Sequence, residues 1–295
     1  MIVVTAPTGR IGHQVIDALL DGGRQVRVIA RDPARLAPRA REGAEIVQGS
    51  HSDPRVLAEA FKDADSVLWL VPPNPVADDI QEHYLGFTRP ACEAIRAQGV
   101  RRVVGVSSLG RAHGSGAGQL SAAFAMDEMI ESTGVGYRSL AMPFFMENLL
   151  HQAEALAARG VLSLPVAADR PLALVATRDI AATAARLLAD DSWSGQDTVP
   201  VIGPDALSPH GMAQVLSEVL ERPVRFEEPD REAYRATMAR YGMSEAWAQG
   251  LFDMADAQDN GVYDAEWRAL TTPAPTAFRE WCREVLIPAA RATAA

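Results

Sequence analysis

The sequence predicts an α/β fold, a doubly wound parallel sheet with a smaller C-terminal α+β lobe, and three observations predict it. Residues 1 to 31 run from an apolar strand through a turn of small residues and an amphipathic helix to a second apolar strand. Short apolar runs then recur as far as Ile202, separated by helical stretches, the pattern of parallel strands buried on both faces. After Gly160 the regular alternation breaks into short apolar pieces and prolines, Pro165 and Pro171 among them.

Composition bounds the function. With 295 residues, 48% hydrophobic and 22% charged, the chain has the make-up of a soluble globular protein, and its length allows one large domain or a main domain with a companion. A net charge of −10 disfavours binding to phosphate backbones, so direct nucleic-acid binding is not expected. Lys62 is the only lysine, which removes lysine-dependent mechanisms elsewhere in the chain. Cys92 and Cys282 are too few for a disulfide framework, and the scattered histidines form no metal-binding pair. No apolar run approaches the roughly 18 residues of a membrane helix, and no basic, apolar leader opens the chain. The expectation is a soluble, cytoplasmic protein without a membrane or metal partner.

The opening unit carries the first functional signal. Ile2, Val3 and Val4 form the strand, Thr5 to Gly9 the turn, and Ile11, Val15, Ile16, Leu19 and Leu20 recur at helical spacing before the strand Val26 to Ile29. Strand, glycine-bearing turn and helix make the Rossmann-type βαβ unit, which places a pyrophosphate against free N–H groups at a helix N-terminus. Two of the usual three glycines are present, Gly9 and Gly12, with Ala6 in the first position. Ala6 costs little if its φ is negative, and Pro7 has no N–H to donate, so phosphate donors are sought elsewhere in the turn. The second strand ends at Arg31. Asp32 before Pro33 reads as a helix N-cap, which leaves Arg31, with Arg10 and Arg35 near it, to favour the 2′-phosphate of NADP over the ribose of NAD.

Further along, Ala44 to Gln48 reads as a third strand and Asp53-Pro54 as another helix start. Ser66 to Val71 forms a buried fourth strand that stops at Pro72-Pro73, and a helix then runs to Gln98, ended by Gly99. The fifth strand, Arg102 to Val106, ends in Ser107-Ser108. Strand ends at the carboxyl edge gather ligands, so Thr5, Arg31, Val71 and Ser107 are expected on one rim. Residues 110 to 120 read as a flexible glycine-rich loop, followed by a helix from about Ala122 to Ser132 and a sixth strand from Tyr137 to Ala141. Pro143 to Met146 is expected to open a helix reaching Arg159. A helix over Asp179 to Leu188 and a strand over Thr198 to Ile202 return to the sheet, and residues 204 to 295 hold three or so helices with a strand at Val224 to Phe226. This divides the chain into a nucleotide-binding domain, 1–150 with about 174–203, and a substrate lobe, about 151–173 with 204–295.

Several stretches match a known family. TAPTGRIG is similar to the turn TGATGxxG, VIARDP to that family's second-strand ending, RRVVGVSSLG to its fifth strand and YRSLAMPFFMENLL to its YTILRPGFFMEN segment. VATRDIAATAARLL, VPVIGPDALS and TPAPTAFREW also look like family landmarks. The chain thus resembles, over nearly its whole length, the NmrA-like group of atypical short-chain dehydrogenase/reductase proteins, which includes quinone reductases and NADP-sensing regulators. The resemblance implies a cofactor across Thr5, Pro7, Thr8, Gly9, Arg10, Ile11, Gly12, Arg31, Ser50, Val71, Pro72, Ser107 and Pro143. It sets Pro143 to Asn148 near the nicotinamide. Ala6 with Pro7, Ser50-His51, and Ala141-Met142-Pro143 depart from the family pattern. Standard members of the wider superfamily pair Tyr with Lys four residues on; here Gln119 and Ala123 align with those positions, and no tyrosine has such a lysine.

Two tentative catalytic residues remain, Ser107, a substrate-orienting hydroxyl or a strand-end cap, and Asn148, a carbonyl partner or a backbone cap. His113, Phe144, Phe145, Met146 and Asn148 are the expected substrate pocket, with apolar core the alternative for the aromatic run. The absence of G-x-S-x-G disfavours a hydrolase. The reading is an NADPH-dependent oxidoreductase passing hydride to a planar quinone-like or conjugated carbonyl substrate, with a homodimer compatible. Two alternatives stand beside it, a non-catalytic NADP(H) sensor and a non-redox enzyme on the same fold.

Overall fold

The structure, a computed structural model, describes residues 1–114, 116–269 and 271–294. Seven strands form one parallel sheet: β1 (Ile2–Val4), β2 (Val26–Ala30), β3 (Glu45–Gln48), β4 (Ser66–Trp69), β5 (Arg102–Ser108), β6 (Gly136–Met142) and the later edge strand Gln196–Pro200. Their spatial order runs from that edge strand through β6, β5, β4, β1 and β2 to β3. The chain leaves β1 toward β2 and β3, then crosses back to β4, so the strand order reverses between β1 and β4. Ligands of open α/β sheets sit in the crevice outside the carboxyl ends at such a point.

Helices cover both faces because the strands are apolar on both. α1 (Arg10–Asp21) turns Ile11, Val15, Ile16 and Leu19 onto one face. On the other, α3 (Pro54–Ala60, after a short α2, Pro38–Gly43), α4 (Ile80–Gln98) and α5 (Gln119–Glu131) pack over Val3, Val67, Trp69 and Val103. Side-chain caps start these helices where Asp precedes: Asp53 accepts from Arg55 N at 2.8 Å and Asp79 from Glu82 N at 2.9 Å. Gly99, at φ 66°, ends α4 in the left-handed conformation that glycine adopts without strain.

The smaller elements follow. β7 (Phe144–Phe145) pairs in parallel with β9 (Leu172–Val175), β8 (Val161–Leu162) lies between them in sequence, and α6 (Ala153–Arg159) precedes it. α7 (Thr177–Ala189) packs beside α1 and feeds the edge strand, here β10. β11 (Ala206–Leu207) joins β9, β12 (Arg225–Phe226) joins β8, and α8 (Pro209–Val219), α9 (Arg231–Arg240), α10 (Glu245–Asp259), α11 (Asp264–Ala269), α12 (Phe278–Trp281) and α13 (Ile287–Ala294) complete the chain. Met146, Leu149, Leu216, Phe278, Trp281 and Leu286 centre the apolar core of this second part. No helix among the described residues is long and apolar enough to cross a membrane.

Three sequence expectations are corrected, and the loop after β5 gains anchors that the sequence did not suggest. Asp32 caps only a single 3-10 turn, Pro33–Arg35, through Ala34 N at 3.0 Å, because Leu36 drops into the core and extends the chain there. Phe144 and Phe145 do not open a helix: their N–H and C=O groups pair with β9, and a 3-10 segment, Met146–Gln152, follows. The C-terminal part carries more helices than the three expected. The loop after β5 is anchored at both ends: Arg111 forms a bidentate pair with Glu131 at 2.6 and 2.7 Å, Ala117 is fully buried, and Gly118 lies against the backbone of Gly250. Ser115 within that loop lies outside the described residues.

Candidate active site

The β1–α1 turn sits where the strand order reverses. The Thr5 hydroxyl donates to Leu68 O at 2.9 Å and Leu70 O at 3.3 Å and accepts from Leu70 N at 2.9 Å, so it ties the end of β1 to the end of β4. Ala6 has φ 48°, a left-handed conformation, so the condition of a negative φ under which alanine would cost little there is not met. The reason is compaction: Ala6 O accepts from Gly9 N at 3.0 Å, and α1 passes so close that a Cβ on Gly12 would stand 2.3 Å from Ala6 O. An Ala held there costs about 1–2 kcal/mol, so this turn carries strain that a glycine would relieve. Pro7 is buried while Thr8, Gly9 and Arg10 are exposed. Ile11 is in the core, which leaves only its N–H for the surface. Among the described residues no side chain caps α1, and no acid occupies its first turn, so the N–H groups and positive dipole end are free at the rim.

At the β2 side, Arg31, Arg10 and Arg35 are exposed, and none has an ion-pair partner among the described residues. Ser50 is occupied locally, its hydroxyl 2.8 Å from that of Ser52. His51 is 8% exposed, packed against Trp69 and Phe87 at ring distances of 5.5 and 4.8 Å, with Nε2 lacking any partner. Burial, reinforced by the Arg31 and His83 charges, pushes its pKa down to about 4 despite a bond to the Leu70 backbone. The folded state therefore refuses a proton that the unfolded chain accepts near pH 6.5. Its contribution to stability is complete above about pH 6.5 and is lost as pH falls to about 4, a total of about 3 kcal/mol. Urea unfolding at about pH 7 and about pH 4.5 is expected to show this loss in the wild type and its absence in His51→Leu; equal pH dependence in both would contradict the assignment.

Next along the rim, Val71 is buried, and Pro72 O pairs with His83 Nε2 at 2.8 Å. Ser107 is 7% exposed and donates to Asp127 Oδ2 at 2.6 Å. Asp127 also accepts from Ser139 Oγ at 2.8 Å and from Tyr137 OH at 2.6 Å on its other oxygen. Burial pushes the Asp127 carboxyl up against the pull of these three donors. The hydroxyl of Ser107 thus faces α5. Ser108, half-buried, faces the other way.

Pro143 is buried and Phe144 and Phe145 are half-buried in β7. Met146 is fully buried in the second core, so its side chain serves packing. Asn148 is exposed, as is His113 on the turn Arg111–His113. These residues and the β1–α1 turn share the carboxyl side of the sheet, but the structure brings only the strand ends into direct register. Sequence reasoning missed Glu147, whose buried carboxylate accepts from Thr177 N at 3.0 Å, Thr177 Oγ1 at 2.8 Å and Trp281 Nε1 at 3.0 Å. It caps the N-terminus of α7 and joins three chain segments. Its acidic type inside an apolar run was the available signal.

The chain is similar to several known proteins. A (4-alkanoyl-5-oxo-2,5-dihydrofuran-3-yl)methyl phosphate reductase from Streptomyces griseus is 32% identical, over 96% of this chain and 97% of its own. Quinone oxidoreductase 2 from Escherichia coli is 26% identical over 90% of each chain. The crystal structure of an NADPH-dependent quinone oxidoreductase from Escherichia coli superposes with a TM-score of 0.76 at 25% identity, covering 95% of this chain and 98% of that one. The sequence profile of the NmrA-like family matches residues 1–281. The chain belongs to the NmrA-like family.

Proposed function

We propose that the protein is an NAD(P)H-dependent reductase, with NADPH preferred, whose acceptor is a planar quinone-like or conjugated carbonyl compound. The end-to-end similarity to reductases carries this reading. The residues fit such a cofactor: an uncapped helix N-terminus stands at the reversal of strand order, with Arg10 and Arg31, unpaired among the described residues, on the β2 side. The N–H groups of Ile11 and Gly12 would hold the pyrophosphate and Arg31 with Arg10 the 2′-phosphate, with the buried Val71 and Pro143 at the neighbouring strand ends. Bound NADPH supplies the hydride. The acceptor would then sit on the β5 side of the rim, where the turn carrying His113 follows β5 and the segment Phe144 to Asn148 follows β6.

No phenol–ammonium pair stands on α5, where Gln119 is half-buried and Ala123 buried. A proton donated to a developing alkoxide contributes about 10²- to 10⁴-fold, so unactivated ketones are poor acceptors here. Electron-poor planar acceptors delocalise the charge and take their proton from water afterwards. Arg31→Asp tests the cofactor assignment: the wild type is expected to favour NADPH over NADH by about 1–3 kcal/mol in fluorescence titration, and the variant to erase or invert this. Equal affinities in the wild type would refute the role of Arg31.

A further inference from the structure

We infer that Glu147 is a positioning residue for hydride transfer: through Thr177 and Gln14, its carboxylate fixes the segment Phe144 to Asn148 against α1, the helix whose N-terminus faces the cofactor. The register of the small sheet prepares this link. Phe145 pairs with Val175, so two residues further on Glu147 comes abreast of Thr177, the first residue of α7. Thr177 N donates to Glu147 Oε2 at 3.0 Å and Thr177 Oγ1 to Oε1 at 2.8 Å, while Trp281 Nε1 donates to Oε1 at 3.0 Å. Glu147, Thr177 and Trp281 are 8%, 4% and 0% exposed, so these bonds are made away from water, where losing a partner is costly.

The same threonine carries the chain of bonds on to α1. α7 packs beside α1, with Ile180, Ala181 and Ala184 in one core with Ile11 and Val15. Gln14 Nε2 therefore reaches Thr177 Oγ1, to which it donates at 3.1 Å, and it also donates to Arg10 O, the carbonyl of the first residue of α1, at 2.6 Å. One hydroxyl, donating to Glu147 and accepting from Gln14, joins the first turns of α1 to the acceptor-side segment. Phe145 adds an apolar contact to the α1–α7 core, and Phe144 packs against the core of the second part. Glu147 gives up no proton and receives no hydride; it acts by holding the segment in place. A misplacement of about 1 Å slows such a transfer about 10²-fold, so fixing two walls of the site matters more to the reaction than to cofactor binding.

This inference rests on the reductase reading, so its test separates the two. Thr177→Val removes the hydroxyl but keeps the side-chain shape and the backbone N–H bonded to Glu147, so the fold is expected to hold. In single turnovers with saturating NADPH and 1,4-naphthoquinone, Thr177→Val and Gln14→Leu are each expected to slow NADPH oxidation about tenfold, to keep NADPH affinity within about twofold, and to add nothing to one another when combined. A readout without turnover is the indole N–H of Trp281, one of five tryptophans, identified by its loss in Trp281→Phe. By ¹⁵N NMR, NADP⁺ is expected to shift this resonance in the wild type and not in Thr177→Val. A merely structural hydroxyl would lower the melting temperature and the yield of active protein but change neither the rate per active site nor this shift. Wild-type oxidation rates in both single variants, additive effects in the double variant, or a Trp281 resonance that NADP⁺ moves equally in wild type and Thr177→Val would overturn it. Failure of the reductase reading shows separately, as NADP⁺ that still shifts the Trp281 resonance while no acceptor oxidises bound NADPH.

Discussion

Gly12→Ala is expected to reduce NADPH affinity about 100-fold or more and to lower stability by about 1–3 kcal/mol. The added Cβ would meet Ala6 O at 2.3 Å, Ala6 C at 3.0 Å and Pro7 Cα at 3.2 Å. All three are backbone atoms of a turn already held by Thr5 and by the Gly9 N to Ala6 O bond, so no side-chain rotation relieves the clash. The turn must open, and the N–H groups at the start of α1 then move away from the position proposed for the cofactor's phosphate. Gly22→Ala at the other end of α1 is the control, because its Cβ meets nothing closer than 3.5 Å and its φ of −78° suits alanine. Fluorescence titration reads both variants; a Gly12→Ala protein with wild-type affinity would remove the turn from the site.

Asp127→Ala is expected to cost about 3–5 kcal/mol in urea unfolding, among the largest effects of any single change. Ser107, Ser139 and Tyr137 would each lose an acceptor, and Tyr137 is fully buried. A buried hydroxyl left unpaired costs about 1–3 kcal/mol, and the space vacated by the carboxylate is walled by close packing. The Tyr137 hydroxyl lies where a Cβ on Gly105 would be, at 2.0 Å, which leaves it nowhere else to turn. Tyr137→Phe in the Asp127→Ala background should recover part of the loss, since it removes one orphaned donor. A loss below about 1 kcal/mol for Asp127→Ala would mean that the network is solvated and dispensable.

The parallel sheet was legible because its signals are local. Val-rich runs, Asp-Pro helix starts and the glycine at the end of α4 each depend on neighbours within one turn. The same locality explains the misreadings. Phe144 and Phe145 become a strand because of a partner thirty residues later, and Asp32 caps only one turn because Leu36 is drawn into the core. The sign of φ at Ala6 is set by how closely α1 passes, which no residue type announces. The place of the glycine turn and of the strand tips in the fold could be read from order alone. The Asp127 network and the Glu147 bridge could not, for they join residues from 10 to 134 positions apart. Ser107 and Ser108 are adjacent and alike in type; only the orientation of β5 distinguishes a structural hydroxyl from one at the rim.

On the proposed function, hydride passes from NADPH to a planar acceptor without an acid/base pair on α5. The most direct test is anaerobic mixing of the protein with NADPH and 1,4-naphthoquinone, following cofactor oxidation between about pH 6 and about pH 8, with NADPH deuterated at the nicotinamide C4 as a parallel sample. His51, with its pKa pushed down to about 4, stays neutral across that range and imposes no titration. The expected result is stoichiometric oxidation, slowed by the deuterium, with a rate nearly flat in pH and no turnover of cyclohexanone. Tight NADPH binding without oxidation by either compound would contradict the account and make the protein a cofactor-binding regulator instead.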